Sequence, residues 1–284
     1  SEAGGLYGGG SNEPPPAHAA AARAAIERIV PRNASGQPAN DGKIVFVSIS
    51  MSNATQEFSV LVKLANSDAA KSPKVMVVDC AQGGQTMAAW SSADARPWGV
   101  AMTRLNDAGV TAEQVQVAWI KLANAHPTGD LPAHGRQLQR DTQAVLQNAK
   151  AKFPNLQIAY LDSRIYGGYA KTPLNPEPYA YEGAFVVRWL IQEQIQGSAS
   201  LNFDPARGEV KSPLLLWGPY LWADGVKPRK SDGLTWNADD FGGDGTHPSE
   251  SGREKVAKLL LEFLHTNSLA SPWYLTRGRV QAGP

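Results

Sequence analysis

The chain has 284 residues, 42% hydrophobic and 19% charged, which argues against a disordered chain and leaves enough apolar material for a core without a disulfide or metal. With 27 basic and 26 acidic residues the net charge is +1, and the longest basic cluster is Lys227-Pro228-Arg229-Lys230, so the balance argues against a nucleic-acid reader. No apolar run approaches the ~20 residues needed to span a bilayer.

The single cysteine, Cys80, cannot form an intrachain disulfide and reads as a small buried hydrophobe. The chain starts at Ser1 without a signal peptide, and the expectation is a secreted or periplasmic protein whose leader has been removed.

Residues 1–16 are rich in Gly and Pro and read as an extended arm, followed by a short Ala-rich helix over roughly 17–30 that stops before Pro31. Residues 31–42 read as a loop. Strands and helices then alternate. Strands are predicted at Ile44–Ile49, Val75–Val78, Val115–Ile120, Ile158–Leu161 and Leu214–Trp217. Helices are predicted at 55–66, through Phe58, Leu61, Val62 and Ala65; at 135–152, through Leu138, Val145, Leu146 and Ala149; at 180–196; and at 250–265, through Val256, Leu259, Leu260, Phe263 and Leu264. Apolar strands alternating with helices imply a five-stranded, doubly wound parallel sheet in a three-layer αβα sandwich. One domain is expected over 43–284, preceded by the arm and short helix of 1–42. Chemistry is expected beyond the carboxyl ends of the strands.

Four polar groups stand at those ends. Ser52 follows the first strand where a helix begins; a serine there suits a nucleophile beside a helix N-terminus and equally suits an N-cap. Gly83-Gly84-Gln85-Thr86 follows the second strand, and its glycines suit either close backbone approach to a ligand or a plain tight turn. Asn124 follows the third strand and suits a side-chain donor or a turn. Asp244 and His247, three apart and followed by Pro248-Ser249, can bond to one another so that the carboxylate fixes the imidazole tautomer; a surface loop is the other reading.

Taken in order, these four blocks resemble the SGNH (GDSL-like) hydrolase superfamily across about residues 43–266, in a secreted bacterial esterase-like branch. Ser50-Met51-Ser52-Asn53 resembles the first block, usually Gly-Asp-Ser-Leu. Gly84-Gln85-Thr86 resembles the second, Ala123-Asn124 stands where Gly-x-Asn-Asp normally lies, and Asp244-Gly245-Thr246-His247 matches the closing Asp-x-x-His. Ser50, Met51 and Ala125 depart from the family residues. The resemblance implies a flavodoxin-like SGNH fold, a Ser52–His247–Asp244 triad, an oxyanion hole from Ser52, Gly84 and Asn124, and hydrolysis of short-chain acyl esters, with acetylated carbohydrate as one expected substrate. No cofactor is implied.

Other chemistries lack their patterns: there is no Gly-x-Ser-x-Gly elbow, no P-loop, no Gly-x-Gly-x-x-Gly after a strand, and no His-x-x-x-His or Cys-x-x-Cys. His126 and His134 flank the third-strand loop as reserve bases. Trp90, Trp98, Tyr166, Tyr169, Tyr220, Trp222 and Trp236 are candidate rim aromatics, with Gln85, Trp90, Tyr166, Tyr220 and Trp222 the expected substrate contacts. Trp119, Trp189 and Trp217 read as core. Arg164 and Arg188 suit either an anionic substrate or ordinary ion pairs. A catalytically silent carbohydrate-binding protein on the same fold is the alternative, separable by hydrolysis of a p-nitrophenyl ester.

Overall fold

In the computed structural model, which describes residues 4–276, five parallel strands lie in the order β2-β1-β3-β4-β5. They are β1 (Ile44–Ile49), β2 (Val75–Asp79), β3 (Val115–Lys121), β4 (Ile158–Asp162) and β5 (Leu214–Trp217). All five predicted strands form, with β2, β3 and β4 each one residue longer at the carboxyl end. Parallel strands need crossovers, and helices supply them: α1 (Pro16–Glu27), α2 (Ser52–Ser67), α3 (Met87–Trp90), α4 (Arg96–Asp107), α5 (Leu131–Lys152), α6 (Tyr179–Ile195), α7 (Glu250–Thr266) and α8 (Ser271–Tyr274).

Strand side chains alternate between two cores. Phe46, Val117, Trp119 and Tyr160 point toward α1, α2, α7 and α8, while Val45, Val47, Ile120 and Leu161 point toward α3, α4, α5 and α6. Phe58 of α2 stacks on Trp119, with centroids 5.6 Å apart, and Phe46 meets both Phe58 and Trp273 edge-on. Both faces of the sheet are therefore covered, which explains why its strands read as nearly unbroken apolar runs. Among the described residues, no helix is long and apolar enough to cross a membrane.

Helix α4 has no counterpart among the predicted elements. Pro97 and Gly99 near its start disguise it, but Pro at the beginning of a helix costs nothing, and Trp98, Ala101 and Leu105 bury one face. Its Trp98 packs edge-on against Trp90 at 4.7 Å. Trp90, Trp98 and Trp236 are almost fully buried, so the expectation that they line a rim is corrected: these three indoles are packing residues. The Trp90 Nε1–H donates to the carbonyls of Ser50 and Gln85, and that of Trp236 to Leu221, which satisfies their polar atoms inside the fold.

The described part of the N-terminal segment lies against β5. Trp217 Nε1 donates to the Leu6 carbonyl (2.7 Å), Trp217 N–H donates to the Tyr7 hydroxyl (3.1 Å), and buried His18 donates Nε2–H to the Leu215 carbonyl (2.8 Å). These bonds shield an edge strand that would otherwise offer unpaired backbone. The expected arm begins at residue 1, and residues 1–3 lie outside the described residues, as do 277–284 at the other end.

One ion pair lies wholly inside. Lys121 Nζ donates to both Glu57 carboxylate oxygens at 2.6 Å, and neither side chain has measurable exposure. Burial pushes Glu57 up and Lys121 down in pKa, and their mutual attraction opposes both shifts. Lys121→Met strands a buried carboxylate, so it is expected to destabilise the fold by about 3–5 kcal/mol, whereas Lys121→Met combined with Glu57→Leu costs less than the single change. Urea unfolding of the three proteins at neutral pH checks both; additive losses contradict the pairing.

Candidate active site

Because β2 and β3 flank β1 on opposite sides, the crevice beyond the carboxyl ends of β1 and β3 is the topological switch point. Ser52 is the first residue of α2, three residues beyond Ile49, the last paired residue of β1. Met51 before it is extended, and the chain turns into the helix without a side-chain cap, so the Ser52 hydroxyl is not spent on its own backbone. The N–H groups of Ser52 and Gly84 have no hydrogen-bond acceptor among the described residues. The start of a 16-residue helix adds positive partial charge at Ser52.

Ser52 Oγ lies 2.8 Å from His247 Nε2, and His247 Nδ1 lies 2.5 Å from Asp244 Oδ2. The Asp244 Oδ1 accepts from the backbone N–H groups of Thr246 and His247, both at 3.0 Å. Burial raises the Asp244 pKa, but the two N–H donors and the imidazole outweigh it and bring it down to about 2. The carboxylate is thus ionised throughout the neutral range and holds the imidazole with Nδ1 protonated and Nε2 turned to the hydroxyl.

Local backbone bonds set the Asp244–His247 loop. Gly242 N–H donates to the His247 carbonyl (2.8 Å), Gly245 N–H to Gly242 (2.9 Å), and Lys171 N–H to the Asp244 carbonyl (2.9 Å). Gly245 has φ +67, and a Cβ there would collide with the Tyr169 carbonyl.

Gly84 is exposed on the turn after β2, with φ +75. The turn is tied to β1 by Gln82 N–H donating to the Ser50 carbonyl (2.9 Å). Asn124 follows β3 and is oriented on three sides: its Nδ2 donates to Asp141 Oδ2 (2.6 Å), its Oδ1 accepts from Ala88 N–H (2.9 Å), and its carbonyl accepts from Asn175 Nδ2 (3.1 Å). One amide hydrogen of Asn124 is therefore committed to Asp141 and the second is left for a ligand.

Of the expected substrate contacts, Gln85, Tyr166, Tyr220 and Trp222 are half-buried, and Trp90 is interior as described above. Trp222 Nε1 donates to Glu177 Oε1 (2.8 Å), and its ring meets Tyr166 at 6.3 Å and Tyr181 at 4.7 Å. Tyr220 lines a cavity of about 480 Å³ beside α6 and β5, together with Phe185, Arg188, Trp217 and Arg229; neither Ser52 nor His247 lines it. The reserve bases lie elsewhere. His126 is exposed with φ +54, and His134 Nε2 pairs with Glu182 at 2.6 Å. Arg164 is buried under the His247 loop, and Arg188 lies on α6, where its Nη1 approaches the Gly5 carbonyl at 3.4 Å. Sequence reasoning missed Asp141, Asn53 and Glu57 as supports of the site. Glu57 alone carried a usable signal, being a carboxylate among the inward positions Ala54, Phe58, Leu61 and Ala65 of α2.

No protein-family model and no curated protein sequence matches this chain. Among solved structures, it is similar to a chain described as an acylhydrolase from Bacteroides fragilis (14% identity, TM-score 0.41, covering 87% of this chain and 95% of that one). It is also similar to the periplasmic domain of a lipopolysaccharide acetyltransferase from Salmonella ser. Paratyphi A (12%, 0.39, 79% and 83%) and to a Streptococcus pneumonia structure titled for platelet activating factor (14%, 0.37, 87% and 90%).

The left-handed turn at Gly245 generates a direct expectation. Gly245→Ala adds both backbone strain and a collision with Tyr169, so it should cost more than the ~1 kcal/mol of a simple unfavourable φ. Gly84→Ala, with open space around it, should cost only about that strain. Thermal unfolding of the two variants compares them; equal losses contradict the collision.

Proposed function

We propose that this chain is a serine carboxylic-ester hydrolase of the SGNH kind, with Ser52 as nucleophile, His247 as general base and acid, and Asp244 as the group that orients His247. The observation that carries this reading is the unbroken line from Ser52 Oγ through the imidazole to a carboxylate held at about 2 in pKa. A hydroxyl is a weak nucleophile until a base takes its proton, and the 2.8 Å Oγ–Nε2 contact is within reach for that transfer.

In this mechanism Ser52 Oγ attacks the ester carbonyl while its proton passes to His247 Nε2. Asp244 stabilises the imidazolium that results. The developing oxyanion takes hydrogen bonds from the N–H groups of Ser52 and Gly84 and from the second amide hydrogen of Asn124. His247 returns its proton to the leaving alcohol, giving an acyl-Ser52. Water, activated by the same imidazole, attacks the acyl carbonyl and releases the acid. The reaction balances as ester plus water to acid plus alcohol and consumes nothing else.

Short acyl groups such as acetyl are the proposed substrates. Tyr166, Trp222 and Tyr220 present half-buried aromatic faces on the post-strand loops, which suits the stacking of a sugar alcohol portion. Rates on acetate, butyrate and octanoate p-nitrophenyl esters test the acyl preference; faster octanoate hydrolysis overturns it.

Ser52→Ala is expected to abolish turnover without loss of fold, and a serine-reactive phosphonate is expected to label Ser52. Labelling at Ser48 or Ser50 contradicts the assignment. His247→Ala should lose nearly all activity, and Asn124→Ala should lower kcat by roughly 10²–10³ with little change in KM, because that bond forms mainly in the transition state. Since the Asp244 carboxyl is held down at about 2, it stays ionised between pH 4 and 9 and should add no ionisation of its own to the acid side of kcat/KM. A second acid-side ionisation in kcat/KM between pH 4 and 9 argues against this pairing.

A further inference from the structure

We propose that Arg164 is a positioning residue for the Ser52–His247–Asp244 line, fixing the His247 loop to the nucleophile's helix through the Thr246 carbonyl. This rests on the reading of that line as a hydrolytic triad.

Arg164 stands two residues beyond β4 and is 3% exposed. Its Nη2 donates to the Thr246 carbonyl at 3.2 Å. The same oxygen accepts from Asn53 Nδ2 at 3.0 Å. Asn53 is the residue after Ser52, and Thr246 is the residue before His247. A carbonyl oxygen has two lone pairs, and here one is taken from the nucleophile's helix and the other by a cation.

The peptide unit between Thr246 and His247 is thereby held at both ends. Its carbonyl is gripped by Arg164 and Asn53, and its N–H donates to Asp244 Oδ1 at 3.0 Å. A cation on the carbonyl polarises the amide and strengthens the bond on its far side, because hydrogen bonds in a chain reinforce one another at low dielectric. Movement of this unit would carry His247 away from Ser52 and Asp244 together.

The guanidinium is retained at a cost. Its Nε is buried with no hydrogen-bond partner among the described residues, and burial lowers its pKa while Glu57, Glu177 and Asp244 oppose that shift. The charged groups around it come from several elements: Glu57 on α2, Lys121 on β3, Glu177 before α6 and Asp244 before α7. Arg253 of α7 acts on Glu57. Asp162, on β4, is pushed well up by burial. Glu57 and Lys121 neutralise one another, which leaves the Arg164 fork to grip the Thr246 carbonyl next to His247.

The test compares wild type with Arg164→Gln, Arg164→Lys and Asn53→Ala, each checked for folding by circular dichroism. kcat and KM on p-nitrophenyl acetate are measured at neutral pH, and the His247 ring resonances are followed by NMR. Arg164→Gln should lower kcat by about 10–100-fold with KM nearly unchanged, as expected for a misplaced catalytic group. The His247 ring resonances should shift, because the peptide unit that carries the imidazole is no longer held. Arg164→Lys should restore only part of kcat, since the charge remains but the fork is lost. Asn53→Ala and Arg164→Lys, which grip one oxygen, should combine non-additively. If Arg164→Gln does not fold, the Lys variant and this double change decide the matter.

Wild-type kcat with unmoved His247 resonances in folded Arg164→Gln overturns the proposal, as do additive effects of Asn53→Ala and Arg164→Lys. A raised KM with kcat intact overturns it too, because Arg164 would then serve substrate binding. Absence of any ester turnover by wild type instead defeats the hydrolase reading, and the His247 resonances still decide whether Arg164 positions His247.

Discussion

A lysine ammonium sealed from water at the end of β3 constrains everything built above it. Lys121 can stay there because Glu57 reaches across from α2 and meets it with both carboxylate oxygens. The pair joins the helix that begins at Ser52 to the strand that leads into Asn124, so Ser52 and the loop opposite it share one anchor. The Ser50 hydroxyl donates to the Lys121 carbonyl, adding a second tie between β1 and β3 at the same level. A buried pair is seldom a net source of stability compared with apolar packing. Its value here lies in geometry, since separating α2 from β3 would expose two unpaired charges.

The same logic extends across the sheet. Ser48 stands opposite Asp79 and its hydroxyl donates to that carboxylate at 2.5 Å, while Lys121 stands opposite Asp162, whose carboxyl accepts from Trp119 Nε1 at 2.5 Å. Lower in the strands the side chains are apolar apart from Gln116 of β3 and the Tyr160 hydroxyl. The carboxyl ends of four strands thus form a polar layer between the core and the loops. Burial raises the pKa of both Asp79 and Asp162, so the layer disfavours carboxylate charge. Asp244 behaves oppositely: it sits on a half-exposed loop where backbone N–H groups favour the anion. The fold places an ionised carboxylate above a layer in which unpaired carboxylates are suppressed.

The sequence made the strands and the long helices legible because each buries a continuous apolar face and the periods are clean. Ser52, Asp244 and His247 were legible because their spacing and order are local facts that the parallel topology then gathers at one switch point. Helix α4 was illegible since its Pro97 and Gly99 mimic a loop, and its helical face emerges only against Trp90 and Phe153. Trp90 and Trp236 looked like rim residues because they stand in loop-like sequence, yet loop backbone turned inward supplies the carbonyls that satisfy their N–H groups. Asn53, Asp141 and Arg164 act through single bonds to residues 193, 17 and 82 positions away, and such contacts leave no periodic trace.

The half-buried aromatics left on the loops are held by one carboxylate. Glu177 Oε1 accepts from Gly167 N–H and from Trp222 Nε1, both at 2.8 Å, and its Oε2 accepts from Tyr181 N–H at 2.9 Å. Three separate segments, the post-β4 loop, the start of α6 and the post-β5 loop, converge on that side chain. The Trp222 ring is therefore oriented through its nitrogen, which leaves its faces for Tyr166 and Tyr181 on either hand. Because Glu177 also contributes to the field at Arg164, the aromatic wall and the His247 loop are not electrostatically independent. Anything that displaces Glu177 from Trp222 changes the charge balance around the cation that grips the Thr246 carbonyl, so the shape of this wall and the posture of the imidazole are linked through two side chains.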